Sequence, residues 1–410
     1  MIRYIKPTLI YFCLISLVAI LLIATKFQAR ENDSRLYTIF VTQLTLDKPL
    51  SEIVALEWRG QSEYADPHNP YVRDHFIGQF IFPVILSKLG FPSEYSLYFL
   101  NTLYRLLLIF MLYLIVKEFI EKETAIIILW ALPLTPINFS YQLRANHEQL
   151  LSLCIALCVL GLIKINKGIL YQILFITGFV FSFLTKGLAA IILFPTLAFI
   201  WFVLYFKPNQ KKMTNLVWLI FSFLVLLLVF YLYELWFKKV TGYPLIEAYY
   251  QIQIYERSLQ EGSTTNSFLM QKIGNFLYYI SRTLINGLPW SLLLIVAIII
   301  KYLKTKKLKS EFPKSTTMLI WILASFPVIY ILLFSISDRL AQRYIFPAYY
   351  FFNTLILVIL IQYSPALKKF QQYLNSKIKP HYILIWMWFL LIVSALGMYF
   401  LKGGHNHWIS

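Results

Sequence analysis

The chain has 410 residues, of which 59% are hydrophobic, 18% are aromatic and only 14% are charged. A soluble domain carries about 25% charged residues, so this composition cannot cover a water-facing surface. The aliphatic residues also occur in runs long enough to cross a bilayer. The composition therefore predicts an all-α polytopic membrane protein and excludes a soluble enzyme, a DNA-binding domain and a disordered chain.

Eleven apolar segments are close to the length of about 20 residues that a membrane-spanning helix needs. The first follows Arg3 and Lys6 and resembles a signal-peptide core, but no small-x-small cleavage site follows Thr25, so we expect an uncleaved helix. Without internal repeats or a separate soluble domain, 1–410 is predicted to form one integral membrane domain. The candidate spans are 8–25, 95–116, 125–141, 149–164, 169–184, 188–206, 216–237, 287–303, 317–334, 345–363 and 382–401.

The distribution of basic residues predicts the orientation in the membrane, because lysine and arginine are enriched in cytoplasmic loops. A cytoplasmic N-terminus makes the inner segments 1–7, 117–124, 165–168, 207–215, 304–316 and 364–381. With the adjoining helix ends, these segments contain 19 of the 37 basic residues but only four of the 19 acidic residues. The net charge of +18 is therefore mainly a topology signal, typical of a bacterial inner membrane protein, and no nucleic-acid partner is expected.

Two of the predicted outer segments are long, 26–94 and 238–286. In the first, 36–46 has the apolar spacing of a helix. The stretch 76–89 is too short for a span and contains Gln79, Pro83 and Lys88, so we expect a helix lying in the outer interface. The second segment is polar and rich in tyrosine and is expected to form short amphipathic helices.

The unusual polar residues of the chain fall on turns at the predicted outer face. Ionisable groups at a bilayer edge are costly, so their presence there indicates a functional site. Arginine and lysine bind phosphate, and a carboxylate can act as a general base, so this face suits a reaction on an anionic, lipid-borne substrate. The residues are Asp33 and Arg35; Arg73, Asp74 and His75; Arg144, Asn146, His147 and Glu148; Thr185, Lys186 and Gly187; and Asp338, Arg339, Arg343 and Tyr344.

Five short motifs follow one another on this face, and together they cover nearly the whole chain. They are Asp33-Ser34-Arg35-Leu36-Tyr37, Tyr71-Val72-Arg73-Asp74-His75-Phe76, Leu184-Thr185-Lys186-Gly187-Leu188-Ala189, Pro289-Trp290 and Arg343-Tyr344-Ile345-Phe346-Pro347. In these motifs the chain resembles the membrane glycosyltransferases with the GT-C fold, in the branch of the protein O-mannosyltransferases and the aminoarabinose transferase of lipid A. The sequence departs from the family pattern at Ser34, where the family usually has Glu, and it matches the pattern only loosely at Arg73-Asp74-His75.

The resemblance implies a bundle of about 11 transmembrane helices, with juxtamembrane helices in the first outer loop. It implies an inverting transfer, at the periplasmic or extracellular face, of a sugar from a polyprenyl-phosphate-linked donor to a hydroxyl or amine of a lipid, glycan or protein. Asp33 is the expected base, assisted by Glu148, although His147 could take the family's second acidic position instead. The expected phosphate ligands are Lys186, Arg343, Arg339, Arg73 and Arg144, and Asp74, His75, His147, Tyr344 and the tyrosines of 243–255 are expected to line the substrate.

Two other functions stay open. A transporter or flippase for a lipid-linked or anionic solute would have repeated halves, broken helices and polar groups near the midplane, whereas here only Arg105 lies within a span. A polysaccharide ligase or polymerase would place its arginines and a histidine in one large late loop, but 238–286 contains no histidine.

The candidate residues also have structural alternatives. Asp33 could simply pair with Arg30 or Arg35, and Glu148 could stabilise a helix N-terminus. No cofactor is expected. The residues that would suit a divalent metal follow no recognised ligand spacing; they are His68, His75 and His147 with Asp66 and Asp74.

Overall fold

The computed structural model describes most of the chain between residues 32 and 363. Within the described residues the secondary structure is helical, and β pairing is limited to an isolated bridge between Glu57 and Tyr71. The predicted span 8–25 and nearly all of 382–401 lie outside the described residues, as do Asp74 and Arg339. The described ranges are 32–58, 70–73, 75–141, 144–206, 212–251, 265–305, 312–336 and 340–363, with single helical positions between 369 and 396.

The α-helices are numbered here in chain order. They are α1 Asn32–Leu46, α2 Gly78–Lys88, α3 Ser93–Lys117, α4 Lys122–Ala125, α5 Ile127–Ala131, α6 Pro136–Tyr141, α7 Glu148–Ile163, α8 Ile169–Lys186, α9 Leu188–Tyr205, α10 Lys212–Thr241, α11 Ile246–Tyr250, α12 Thr265–Asn286, α13 Trp290–Thr305, α14 Lys314–Ser335 and α15 Phe346–Tyr363. Short 3₁₀ helices occur at Leu50–Glu52, Leu132–Leu134, Ile165–Lys167 and Gln342–Ile345.

Several of the described helices are long and apolar enough to cross a membrane. Five meet this criterion alone, and the bent pair Met270–Asn286 and Trp290–Leu303, whose axes differ by 93°, would make a sixth. Two shorter helices, Glu148–Ile163 and Ile191–Tyr205, are also apolar. The protein is therefore an integral membrane protein of the all-α class, as its composition predicts. The five helices are Ser93–Lys117, Ile169–Lys186, Met213–Thr241, Lys314–Ser335 and Gln342–Tyr363.

The predicted span 125–141 is broken rather than continuous. Helix α5 ends at Ala131, a 3₁₀ turn follows, and α6 begins at Pro136. Thr135 is extended, with φ −81° and ψ 146°, because the ring of a following proline disfavours the helical conformation. Asn138 closes the break by donating from Nδ2 to the carbonyl of Leu132 at 2.7 Å and to Oγ1 of Thr135 at 2.9 Å.

The first long loop contains two helices in the expected places. Helix α1 packs against both α2 and α3, and α2 covers most of the stretch that was expected to be interfacial. Lys88, at the end of α2, donates from Nζ to the carbonyls of Thr45 at 2.9 Å and Lys48 at 2.8 Å. This lysine therefore fastens the end of α2 to the end of α1.

The second long loop is more regular than the sequence suggests. Among its described residues, α11 is short, whereas the amphipathic α12 has 22 residues and packs against α14. Helix α10 also extends to Thr241, beyond the predicted span 216–237. The carboxylate of Glu234 accepts the backbone N–H groups of Leu245 at 3.0 Å and Ile246 at 2.9 Å, which holds the start of α11 against α10.

Helix α7 lies at the centre of the bundle, and nearly all of its side chains are buried. It contacts α3, α8 and α15. Glycines allow α7 and α8 to approach closely, as small residues do between membrane helices. A Cβ at Gly161 would lie 2.5 Å from the Phe175 nitrogen, and one at Gly178 would lie 2.5 Å from the Cys154 oxygen.

The ends of α3 and α7 meet at an ion cluster. The Glu118 carboxylate accepts from Lys164 at 2.9 Å and from Lys167 at 2.8 Å. These residues belong to the predicted inner segments 117–124 and 165–168 or their helix ends. The cluster therefore brings two loops that were predicted to share one side of the membrane into contact.

Gly78 provides a test of the packing between α2 and α8. A Cβ at Gly78 would lie 2.4 Å from the Leu184 carbonyl oxygen, so Gly78→Ala is expected to lower the free energy of unfolding by about 1–3 kcal/mol. Gly274→Ala is the matched control, because nothing lies within 4 Å of its Cβ position and alanine favours a helix by up to about 1 kcal/mol. Thermal unfolding in detergent, followed by tryptophan fluorescence, measures both; equal stabilities would contradict this packing.

Candidate active site

Several helix ends converge at one end of the bundle. The starts of α1, α2 and α7 meet the end of α8 and the 3₁₀ segment Gln342–Ile345 that precedes α15. Contacts among their polar side chains define a candidate active site. Its residues are Asp33, Tyr37, His75, Arg144, His147, Glu148, Lys186, Arg343 and Tyr344.

Asp33 and Arg343 form an ion pair in this site. Asp33 lies in the first turn of α1, where the helix dipole favours a carboxylate. Both side chains remain about one-third exposed, at 33% and 37%, so a ligand can reach them. The pair brings the first of the five sequence motifs into contact with the last.

Glu148 is the buried acid of the site. It is the first residue of α7 and is only 1% exposed. His147 Nε2 lies 3.5 Å from its Oε1 atom, and the charges of Lys186 and Arg144 both act on it. The acid that was expected to assist Asp33 therefore shares its environment with an imidazole and two cations.

Lys186 connects this buried acid with the segment that contains Arg343. Its Nζ atom lies 5.7 Å from the centroid of the Tyr344 ring, within the range of a cation–π contact. The Tyr344 ring in turn stacks on Phe334, with centroids 5.6 Å apart. Arg144 makes a similar contact, with its guanidinium 4.5 Å from the centroid of Tyr141.

His147 is held in its neutral form. Burial lowers its pKa well below the ordinary value of 6.5, and the nearby Lys186 and His75 lower the pKa further. The imidazole is therefore uncharged at neutral pH, although it lies beside the Glu148 carboxyl group. A neutral imidazole can donate one hydrogen bond and accept another.

The turn that precedes Glu148 is fixed by side chains from two other helices. Ser34 Oγ accepts the Ala145 N–H at 2.9 Å and lies 3.3 Å from Asn146 Oδ1. Asn101 Nδ2 donates to the carbonyls of Arg144 at 3.0 Å and Asn146 at 2.7 Å. The serine at which the sequence departs from the family pattern therefore holds this turn in place.

Tyr37 is a site residue for which no role was predicted from the sequence. Its hydroxyl lies 3.2 Å from His75 Nε2, and its ring centroid lies 6.0 Å from that of His147. Tyr37 follows Asp33 by four residues on α1, so the two share a helix face. This spacing, together with its place at the end of the first motif, is the sequence signal that could have identified its role.

Gly187 allows the turn after Lys186 to pack closely. It has a φ of +53°, and a Cβ there would lie 2.1 Å from the Tyr249 hydroxyl. Any larger residue would collide with Tyr249, which is nearly buried, whereas the neighbouring Tyr250 is exposed. The tyrosines of 243–255 thus differ in position, and Tyr249 reaches the residue next to Lys186.

The remaining predicted phosphate-binding and substrate-lining residues are Arg73, Asp74 and Arg339. Arg73 lies half-buried on the short extended segment 70–73, and Asp74 and Arg339 lie outside the described residues. Among the residues that the structure describes, no three His, Cys, Asp or Glu side chains are grouped so as to hold a metal ion. Asp66 and His68, two members of the possible metal set, are also outside the described ranges.

The chain is similar to solved structures of membrane glycosyltransferases with the GT-C fold, which confirms the fold predicted from the motifs. One is the aminoarabinose transferase ArnT from Cupriavidus metallidurans in the apo state, with a TM-score of 0.60 and 14% identity over 95% of this chain and 74% of ArnT. ArnT bound to undecaprenyl phosphate gives a TM-score of 0.61 and 13% identity over 97% and 76%. No protein-family model and no curated protein sequence matches the chain.

The neutral state of His147 predicts a dependence of stability on pH. The unfolded chain binds the proton near pH 6.5, whereas the folded protein resists it, so stability is lost as the pH falls below about 6.5. In His147→Asn this loss should be smaller. Unfolding of both proteins between about pH 5 and pH 8 measures the difference, and identical pH profiles would show that His147 does not cause it.

Proposed function

We propose that the protein is a GT-C glycosyltransferase that moves a sugar from a polyprenyl-phosphate-linked donor to an acceptor hydroxyl or amine. The observation that supports this most directly is the convergence of two carboxylic acids with two cations at one end of the bundle. The likeness to an ArnT structure bound to undecaprenyl phosphate supports a polyprenyl phosphate as the carrier of the sugar. We place the reaction at the outer face of the membrane.

In this proposal Lys186 and Arg343 bind the phosphate of the donor. Negative charge grows on the phosphate as its bond to the sugar breaks, and preorganised cations stabilise that charge best in a water-poor site. Lys186 lies close to Tyr344, and Arg343 directly precedes it in the chain, so both can face one anion. Arg144, Arg73 and Arg339 are the additional candidates for binding the phosphate.

Asp33 is the proposed general base. It takes the proton of the acceptor hydroxyl or amine while the acceptor attacks the sugar carbon from the side opposite the phosphate. The phosphate leaves with the electrons of the broken bond, so the configuration at that carbon inverts. A base must lie within hydrogen-bond reach of the proton it removes, and the partial exposure of Asp33 leaves room for an acceptor.

The ion pair makes the two proposed roles depend on each other. A guanidinium next to a carboxylate favours the charged form of the acid and so weakens it as a base. When a phosphate binds Arg343, it competes for the same N–H groups and relieves this effect on Asp33. Donor binding would therefore make Asp33 more basic just before the acceptor proton must move.

The other half of the site would contact the sugar. Tyr37, His75, His147 and Tyr344 provide ring faces and hydrogen-bonding groups next to the cations. Glu148 is too deeply buried to meet a bulky acceptor, so we assign it an orienting role toward Lys186 and His147. The sugar and the acceptor are then selected by groups that are separate from the phosphate ligands.

A transporter for a lipid-linked solute is the second candidate. The break at Thr135 and the fully buried Arg105 favour it, because transporters use broken helices and polar groups within the membrane. One experiment separates the two candidates: the purified protein in liposomes is given radiolabelled polyprenyl-phosphate sugars and possible acceptors. Transfer of label to an acceptor supports the transferase, whereas movement of intact donor across the bilayer supports the transporter.

The base assignment predicts the effect of Asp33→Asn. Because a general base contributes roughly 10²- to 10⁴-fold to the rate, this variant should lose sugar transfer by about that factor while still folding. Asp47→Asn is the matched control, since Asp47 follows the other end of α1 and is exposed. Wild-type activity in Asp33→Asn would remove the base assignment.

The phosphate assignment predicts weaker donor binding in Lys186→Met. A hydrogen bond to a charged group is worth about 1.5–3 kcal/mol, so the donor KM should rise roughly 10- to 150-fold. Lys238→Met, at an exposed position near the end of α10, should leave the donor KM unchanged. Equal donor KM values for the two variants would contradict a phosphate-binding role for Lys186.

A further inference from the structure

A fully buried arginine lies in one of the helices that can span the membrane. Arg105 belongs to α3 and has no exposed surface. An ionisable residue inside a membrane is costly and usually has a function. Its Nη1 atom donates to the Asn138 carbonyl at 3.2 Å, and its guanidinium also hydrogen-bonds the Tyr350 side chain.

Tyr350 extends this contact into a network. Its hydroxyl lies 3.0 Å from Asn138 Oδ1 and 3.3 Å from Gln149 Oε1, the two acceptors of its O–H group. Arg105, Asn138, Gln149 and Tyr350 are all buried. The network therefore joins four separate helices, α3, α6, α7 and α15, in the interior of the bundle.

Three of these helices lie next to the candidate active site along the chain, and one of them, α7, contributes Glu148 to it. Gln149 directly follows Glu148 in the first turn of α7, and Asn138 lies in α6 shortly before Arg144. Tyr350 lies in the first turns of α15, which continues from the 3₁₀ segment that contains Arg343. Displacement of this one hydroxyl would thus move the buried acid relative to the phosphate ligand.

A polar network fixes geometry in a way that apolar contacts do not. Apolar side chains attract without a preferred direction, so helices that meet only through them can shift along one another. Hydrogen bonds weaken steeply when their angles change, and buried networks of them specify a single arrangement of the core. The break before α6 makes such a constraint more important, because no continuous helix holds that segment.

We propose that Arg105 and Tyr350 are positioning residues, which set the placement of Glu148 relative to Arg343. They act through Asn138 and Gln149 and do not touch the substrate. The catalytic importance of Glu148 and Arg343 rests on the proposed function. Their relative placement is a property of the folded protein and can be measured without a substrate.

The test removes only the Tyr350 hydroxyl, in Tyr350→Phe. Tyr330→Phe is the matched control, because Tyr330 is equally buried in α14 and no described residue hydrogen-bonds its hydroxyl. Hydrogen–deuterium exchange in lipid nanodiscs should show faster exchange of the backbone amides of 144–149 and 340–346 in Tyr350→Phe, and no change there in Tyr330→Phe. Unchanged exchange in Tyr350→Phe would overturn the proposal, whether or not sugar transfer is detected.

Activity provides the second measurement. Tyr350→Phe should reduce kcat for sugar transfer by roughly tenfold, since a small misplacement of reacting groups lowers rates strongly, while the binding of undecaprenyl phosphate changes little. If Tyr350 only stabilised the fold, the variant would yield less folded protein. Its kcat per folded molecule and the pH profile of transfer would then equal those of the wild type, and that result would contradict a positioning role. Absence of transfer by the wild-type protein would instead refute the proposed function, and the exchange result would still decide the positioning.

A second variant keeps the proposal testable if Tyr350→Phe does not fold. Gln149→Met removes the other acceptor of the Tyr350 hydroxyl with little change in volume. It should increase exchange in 144–149 in the same direction as Tyr350→Phe. If neither variant alters exchange in this turn, the network does not position Glu148.

Discussion

The ion pair between Asp33 and Arg343 is the interaction on which the candidate site depends. A charge at the edge of an apolar bundle is costly unless an opposite charge compensates it, and here the two opposite charges come from distant segments of the chain. Because the two groups meet, the start of α1 and the segment before α15 must lie together. The need for charge compensation also accounts for the position of Lys186, whose charge acts on Glu148. Charge compensation thus gathers the polar helix ends at one place while the rest of the bundle remains apolar.

The close packing of α7 explains why this end of the bundle can be precise. Gly161 and Gly178 let the backbones of α7 and α8 almost touch, so the two helices cannot easily slide. Ser34 and Asn101 then hold the turn before Glu148 from the α1 and α3 sides. The acid therefore sits at the end of a rigid element and is supported from behind, as a preorganised site requires.

The sequence predicts the elements of this structure better than their arrangement. Apolar runs predict most of the described apolar helices, because they reflect the bilayer directly. They do not predict the break at Thr135, since apolar spacing is similar in continuous and broken helices; only Pro133 and Pro136 signalled it. The meeting of Asp33 with Arg343, and that of Arg105 with Tyr350, depends on tertiary packing, which no local pattern records. The position of Tyr37 is partly predictable, because its spacing of four residues from Asp33 places both side chains on one face of α1.

The likeness to ArnT at 13–14% identity shows how little of the sequence this fold requires. Apolar side chains can be exchanged widely if volume and pattern are kept, so the bundle persists while its residues change. Under the proposed function, the groups at the converging helix ends have less freedom, because their charge and hydrogen bonding must match a substrate. Cations bind any phosphate in a similar way, whereas buried hydrogen-bonding groups discriminate strongly between substrates. In the proposed function, the choice of substrate therefore belongs to groups such as Tyr37 and His147, and the binding of phosphate to Lys186 and Arg343.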